Sequence, residues 1–260
     1  MTDQATGGEA AYSLLTFAPM IDSEMARLLL AHYGVAYREH DHLVSIASLI
    51  ATLRSGKPML PLLTGPGTSV ATPRAMADWG DARSDESRRL VPTDPALAQT
   101  VAQDWTTYNG GMGAAVAIYA YYHLLPHRDV LLPMFAKPLP VVEALLLQIG
   151  YPLMRWLFTQ KLKLTPEGAA KAADNMIVLF DQTDQRIADG RPYLCGDRLT
   201  LGDFALASTT APLLMPPGNQ TGMPPADTLP EPVRTRCLEL RQHPTAAFVD
   251  RFYREQRGLS

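Results

Sequence analysis

The sequence predicts a small mixed α/β unit followed by an all-helical unit. Between Tyr12 and Gly80, short apolar runs alternate with amphipathic helical patterns in the order β-α-β-α-β-β-α. From residue 96 onward the apolar spacing is helical almost throughout. Between the two, residues 81–95 turn charged and polar and hold Pro92 and Pro95, which reads as a linker. The expected organisation is therefore a domain over 12–80, a linker over 81–95 and a second domain over 96–260. Residues 1–11 read as a disordered lead. They lack the basic and apolar regions of a signal peptide.

Each element has its own signal. Tyr12–Phe17 is an apolar run of strand length. Ser23 can cap the helix that follows, Glu24 suits its first turn, and Met25, Leu28 and Leu29 share one face. Gly34 can close that helix in the left-handed conformation. Val35–His40 reads as a second strand, and Leu43–Leu53 as a second helix ended by Ser55-Gly56. Leu60–Thr64 and Thr68–Ala71 form a hairpin across Gly65-Pro66-Gly67. Thr72 can cap a third helix with Pro73 at its first position. Parallel strands joined by helical crossovers, closed by a hairpin, give a small sheet layered with helices.

Beyond the linker, helices are expected near 95–125, 139–162, 166–189, 200–212 and 231–255. The stretch Met215–Pro230 carries five prolines and reads as an extended surface loop. The strongest start signal lies at Thr200. Its hydroxyl can accept the Asp203 N–H while Asp203 reaches back to the Thr200 N–H, a capping box. Leu199 and Phe204 occupy the two positions of a hydrophobic staple. So many devices at one end point to a buried helix.

Composition narrows the function. The 260-residue chain has a formal net charge of −3 and no lysine or arginine run, which argues against nucleic acid as the main partner. Cys195 and Cys237 form no CxxC pair, as in a reducing cytoplasm. Cys195 reads as a buried small hydrophobe and Cys237 as a residue of a helix face. The histidines are scattered without an HxxxH pair, so no metal site is expected. Trp105–Tyr122 has no charge, but Thr106, Thr107, Asn109 and three glycines make it a buried helix. The apolar runs after Asp129 are broken by Pro133, Pro138, Pro140 and Pro152, and no membrane span is expected.

The segment from Gly190 to Asp203, with Tyr193-Leu194, Gly196-Asp197, Thr200 and Asp203, resembles the "YL.GD..T.AD" segment of the cytosolic glutathione transferases. Other stretches are similar to that family in order and spacing. Arg74-Ala75-Met76 looks like its "[DE]S.AI" third-helix start. Ser23–Leu30 followed by Gly34-Val-Ala-Tyr37 looks like "C.KARWAL…KG.PYE" of a bacterial subgroup. Asp181, Asp184 and Ile187–Leu194, and then Ala211–Pro216, are also similar to that subgroup. Pro61, after Gly56-Lys57-Pro58-Met59-Leu60, falls where the family carries a cis-proline. The resemblance covers nearly the whole chain. It implies a thioredoxin-like glutathione-binding domain, an all-helical substrate domain and a two-fold homodimer.

The resemblance also implies a site. The Leu60 backbone would pair with the cysteinyl part of glutathione next to a cis Leu60–Pro61 bond. Lys57 would meet the glycyl carboxylate. Thr72 and Arg74, at a helix N-terminus, would take the γ-glutamyl carboxylate by the dipole logic that binds other anions. The family's acid and serine at that helix start are here Thr72 and Pro73. The catalytic tyrosine, serine or cysteine falls on Met20 in one alignment and on Ala18, with Pro19 as its "CP" proline, in the other. Ser23, Thr16 or backbone amides remain to hold a thiolate. Trp105, Tyr108, Met112 and Tyr119 follow helical spacing where the family lines its hydrophobic cleft, with Pro19 opposite. Such a stripe is more often core, so one or two of them are assigned to the cleft. Two readings follow: a glutathione transferase acting on a small hydrophobic electrophile, a detoxification chemistry, or a non-catalytic binding protein that keeps the fold. A thiol-disulfide reductase would need a cysteine before the first helix, and none is there.

Overall fold

The computed structural model describes residues 11–259. Apart from Ala11, the expected lead lies outside the described residues. The first unit is β1 (Tyr12–Thr16), α1 (Ile21–His32), β2 (Tyr37–Asp41), α2 (Val44–Ser55), β3 (Leu62–Gly65), β4 (Thr68–Ala71) and α3 (Pro73–Asp81). Its four-stranded sheet has the order β2-β1-β3-β4, with β1 parallel to β2 and antiparallel to β3, and β3 antiparallel to β4. Leu14 and Leu15 point to opposite faces of β1 and both are buried, so the sheet is covered on both sides.

The start of α1 differs from expectation. The helix begins at Ile21, which puts Ser23 inside its first turn and not at the cap. Met20 already presents an extended backbone whose C=O accepts the N–H of Ser23 (3.0 Å) and of Glu24 (3.3 Å). No side-chain cap is needed, and the Ser23 hydroxyl instead donates to the Phe17 C=O at 2.8 Å. The other end follows the sequence signal. Gly34 has φ +68°, its N–H bonds the Ala31 C=O, and the Val35 N–H bonds the Leu30 C=O, a Schellman closure.

Residues 81–95 are ordered by one carboxylate. Asp81 accepts the N–H of Leu90 (2.8 Å) and Val91 (2.9 Å) and the Tyr33 hydroxyl (2.7 Å). The Leu90 C=O then accepts the Leu201 N–H across to the helical unit.

That unit comprises α4 (Pro95–Trp105), a π-helical segment (Thr106–Met112), α5 (Gly113–Leu124), α6 (Arg128–Ala136), α7 (Val141–Lys161), α8 (Pro166–Ile187), α9 (Leu201–Leu214), α10 (Glu231–Leu240) and α11 (Pro244–Arg257). Every residue of α9 is buried, as befits a helix apolar all round. The capping box of Thr200 and Asp203 forms at its start. The Asp203 carboxylate accepts the Thr200 N–H (2.8 Å), the Thr200 hydroxyl (2.9 Å) and the Leu194 N–H (2.8 Å). The helix expected over 231–255 is divided, because Pro244 cannot continue α10 and instead opens α11. Asp184 anchors that new start, accepting the Thr245 N–H (2.8 Å) and hydroxyl (2.6 Å) and pairing with His243 Nδ1 (2.7 Å). Asp181 lies close by, so these three residues could hold an ion, but Asp184 and His243 are already engaged in the cap.

α6 and α7 form a hairpin that sequence reading saw only in part. Pro133 and Pro152 lie inside its helices and do not end them. A proline removes the bond to the carbonyl four residues earlier. For Pro152 that carbonyl is Gln148, and the Arg128 guanidinium donates to it at 2.8 Å. Trp105–Tyr122 is helical as expected but only partly buried, with Tyr108, Met112 and Val116 inward and Thr106, Gly110 and Ala114 exposed, whereas α7 is long and apolar enough to cross a membrane by length and composition.

Candidate functional site

Sheet topology gathers the candidate site at one end of the first unit. Leu15 at the end of β1 pairs Leu62 at the start of β3, which pairs Ala71 at the end of β4. The segments Phe17–Met20, Leu60–Pro61 and Thr72–Arg74 extend from these points, and the N-termini of α1 and α3 open there. Positive helix ends and free amides make such a place receptive to anions.

The Leu60–Pro61 bond is cis, as the family resemblance implied. Pro61 is buried and its C=O accepts the Thr72 N–H at 3.0 Å. Leu60 is buried too, yet among the described residues its own N–H and C=O meet no partner. Thr72 has φ 76° and ψ 146°, a region that β-branched residues rarely adopt and that tends to mark functional sites. Its hydroxyl accepts the Ala75 N–H at 3.4 Å. Pro73 has no N–H, so the Arg74 amide is the free donor of this turn. The Arg74 guanidinium is held by Asp78 at 3.1 Å on the helix surface. Lys57 stands exposed in the turn after α2.

At α1, Ile21 and Asp22 hold the unpartnered amides of the first turn. Beside them opens a cavity of about 290 Å³ between the two units. Pro19, Met20, Ile21 and Asp22 form one wall. Asn109, Gly113, Val116, Ala117, Ala120 and Leu124 form the second, and Leu131 and Met134 of α6 roof it. Phe135 holds that roof down, edge-on to Phe17 with ring centres 5.4 Å apart. Burial raises the pKa of the Asp22 carboxyl, against a smaller opposing effect of the neighbouring Asn109.

A larger groove of about 570 Å³ lies at the other ends of α1 and α3, between Tyr33, Trp79 and Arg83. It faces helix C-termini and borders Ala11, where the described chain begins. The smaller cavity is the better site, because of the two it is the one that adjoins free amides and the positive end of a helix, α1.

Several expectations need correction. Tyr108, Met112 and Tyr119 do not line the cavity; all three are buried elsewhere. The Tyr108 hydroxyl pairs with Thr183 (3.0 Å) and that of Tyr119 donates to the Pro232 C=O (2.8 Å). Trp105 is half-buried and also outside the lining. The reason is volume: large side chains fill the interhelical core, and space survives where the helix presents glycine, alanine and valine. Asn109, Gly113, Val116, Ala117, Ala120 and Leu124 do recur at helical spacing, and that small-residue stripe was the readable signal. Thr16 turns away from the site, its hydroxyl donating to Glu39 at 2.8 Å and to Asp41. Ser23 is committed to the Phe17 C=O. Met20 and Pro19 do reach the cavity. Asp22 was missed because it reads as an ordinary first-turn acid.

No family model matches this chain, and no curated protein matches it in sequence. Solved structures match it along nearly its whole length. A glutathione S-transferase from Methylobacillus flagellatus with glutathione bound is 14% identical, at a TM-score of 0.61, covering 96% of this chain and 98% of that one. A glutathione S-transferase from Methylobacterium radiotolerans in complex with glutathione sulfonate is 17% identical at 0.60, covering 95% and 92%. The beta-etherase LigF from a Sphingobium strain is 12% identical at 0.59, covering 96% and 100%. The shared property is the fold, a thioredoxin-like domain joined to an all-helical one.

Proposed function

We propose that this chain, built on the glutathione-transferase fold, binds glutathione at the open end of its sheet and directs the thiolate at a small apolar electrophile. The observation that carries the reading is three features at the same end of the sheet, the last of which lines the apolar cavity. These are the free backbone of Leu60, the α3 N-terminus behind Thr72, and the unpartnered amides of Ile21 and Asp22. In this reading Leu60 pairs with the cysteinyl backbone, Thr72 and Arg74 take the γ-glutamyl carboxylate, and Lys57 takes the glycyl carboxylate. The thiol lies at Met20, facing the cavity.

The chemistry then falls to Asp22. A free thiol has a pKa of roughly 8.5, and an ordinary carboxylate is too weak a base to deprotonate it efficiently. Burial raises the Asp22 pKa and narrows that gap. The S–H proton passes to the Asp22 carboxylate, leaving a neutral acid that no longer repels the thiolate. The amides of Ile21 and Asp22 stabilise the sulfur's charge. The sulfur attacks the electrophilic carbon, and the leaving group departs with the bonding pair. A cytoplasmic two-fold dimer belongs to the same reading, and light scattering of the purified chain tests its assembly.

A second reading, a non-catalytic glutathione-binding protein, is favoured by the committed hydroxyls of Ser23 and Thr16 and by methionine at position 20. Calorimetric titration with glutathione, followed by titration of the bound thiol through its ultraviolet thiolate absorbance, separates the two. A bound pKa well below roughly 8.5 supports catalysis. Binding with an unshifted thiol supports the second reading, and no binding refutes both.

A further inference from the structure

The α6–α7 hairpin carries a face that the proposed reaction does not use. On α7, Glu143, Leu147, Tyr151, Met154 and Phe158 recur at helical spacing and turn inward. Glu143 Oε2 accepts the Leu43 N–H (2.7 Å) and Oε1 pairs with His42 (2.6 Å). Tyr151 donates to the Leu125 C=O (3.1 Å), and the Phe158 ring meets Tyr121. On the opposite side runs a second apolar stripe: Val142, Leu145, Leu146, Ile149, Leu153 and Trp156. All six are exposed, Ile149 by 82% and Trp156 by 58%. Singly scattered exposed hydrophobics are normal on a monomer, but a continuous stripe of them marks an interaction surface. A helix apolar on both faces is normally covered on both.

The charge of this hairpin decides what covers the face. Lys137, Arg155, Lys161 and Lys163 are exposed, and among the described residues none has an ion-pair partner. Between residues 126 and 165 the acids are Asp129, at the start of α6, and Glu143, which is turned inward. A second copy packed face to face would bring these cations together with no carboxylate on α7 to meet them. An anionic bilayer meets all of them, and its acyl region accepts the stripe.

We propose that this outer face of α7 docks on an anionic lipid surface, the helix lying in the plane of the interface. It does not span, because its inner stripe stays bonded to the protein. Leu131 and Met134 of the same hairpin roof the cavity, so docking brings the cavity close to the apolar phase. That consequence rests on the proposed function, whereas the docking itself does not.

Flotation of the full chain with vesicles of phosphatidylcholine, with and without phosphatidylglycerol, tests the docking. The chain is expected to float with the anionic vesicles and to be released by high salt. Trp156 emission is expected to shift to the blue on binding, a shift absent from Trp156→Phe. Ile149→Glu lies on the exposed side and is expected to keep the wild-type circular-dichroism spectrum while lowering partitioning at least tenfold. Arg155→Gln is expected to lower it about fivefold, the effect of one lost cation at an anionic surface. Failure to float with either vesicle overturns the proposal. So does a dimer in light scattering that Ile149→Glu dissociates while vesicles have no effect, because the face would then bind a second copy. Glutathione titration of the lipid-free protein is read separately, so failure of docking and failure of the glutathione reading are distinguishable.

Discussion

Replacing Thr72 by glycine is expected to give a more stable protein than replacing it by alanine, the reverse of the usual order. Ordinarily alanine is favoured by about 0.4–1 kcal/mol, because glycine gains more freedom on unfolding. At Thr72 the backbone has φ 76° and ψ 146°, which any Cβ opposes. Such a conformation costs about 1–3 kcal/mol in a non-glycine residue. Glycine relieves that cost and alanine does not, leaving glycine ahead by about 1.3 kcal/mol at the middle of the two ranges. Both variants lose the hydroxyl that caps the Ala75 N–H, so their difference isolates the Cβ. For a chain of this size the gap corresponds to about 2–4 °C in Tm per kcal/mol. Thermal and urea unfolding of both variants, followed by circular dichroism and by fluorescence to check that the two units unfold together, measures it. Alanine proving as stable as glycine, or more so, would refute the assignment of strain to this residue.

Asp22→Asn is expected to lower kcat/KM for glutathione conjugation by about 10²-fold and to remove the rise of activity as Asp22 ionises, read from pH–rate profiles. The same carboxyl has a raised folded pKa, so its contribution to stability is complete below the ordinary aspartate value and is lost as pH rises through the raised one. Urea unfolding should therefore find Asp22→Asn gaining on the wild type between acid and neutral pH; an unchanged difference would count against burial of this group. Glu143→Ala is expected to cost about 1–3 kcal/mol by removing the acceptor of Leu43 and the partner of His42. Glu143→Gln, which keeps an acceptor, should recover part of that loss in the same assay. In Gly80→Ala the added Cβ would overlap the Tyr33 ring, whose hydroxyl anchors Asp81, at an expected cost of about 1–3 kcal/mol. Combined with Tyr33→Ala the penalty should be much less than additive, and strict additivity would show that the ring is not the obstacle.

Local chemistry by itself determined the β-α-β-α-β-β-α order of the first unit, the left-handed closure at Gly34 and the Thr200–Asp203 capping box. Each of these is specified by a few adjacent residues, and neighbours in sequence report on one another directly. The candidate site was reached differently: Thr72 carries a local helix-start signal, whereas Leu60, the cis bond beside it and Met20 were named only through the family resemblance. Which side chains face the cavity was decided only by tertiary packing. The helical spacing of Trp105, Tyr108, Met112 and Tyr119 reveals a stripe but not what it packs against. Bulk placed Tyr108, Met112 and Tyr119 in the core, and the adjacent small-residue face was left to border the cavity. Ser23 shows the same division. Its residue type suits a cap, but the extended backbone of Met20 had already supplied one, and the hydroxyl turned to Phe17. The helix expected across Pro152 forms, but the sequence does not show that Arg128 comes from another helix to bond the carbonyl the proline frees. Local signals specify conformation; which groups meet across the fold depends on residues far apart in the chain, and only the folded structure brings those together.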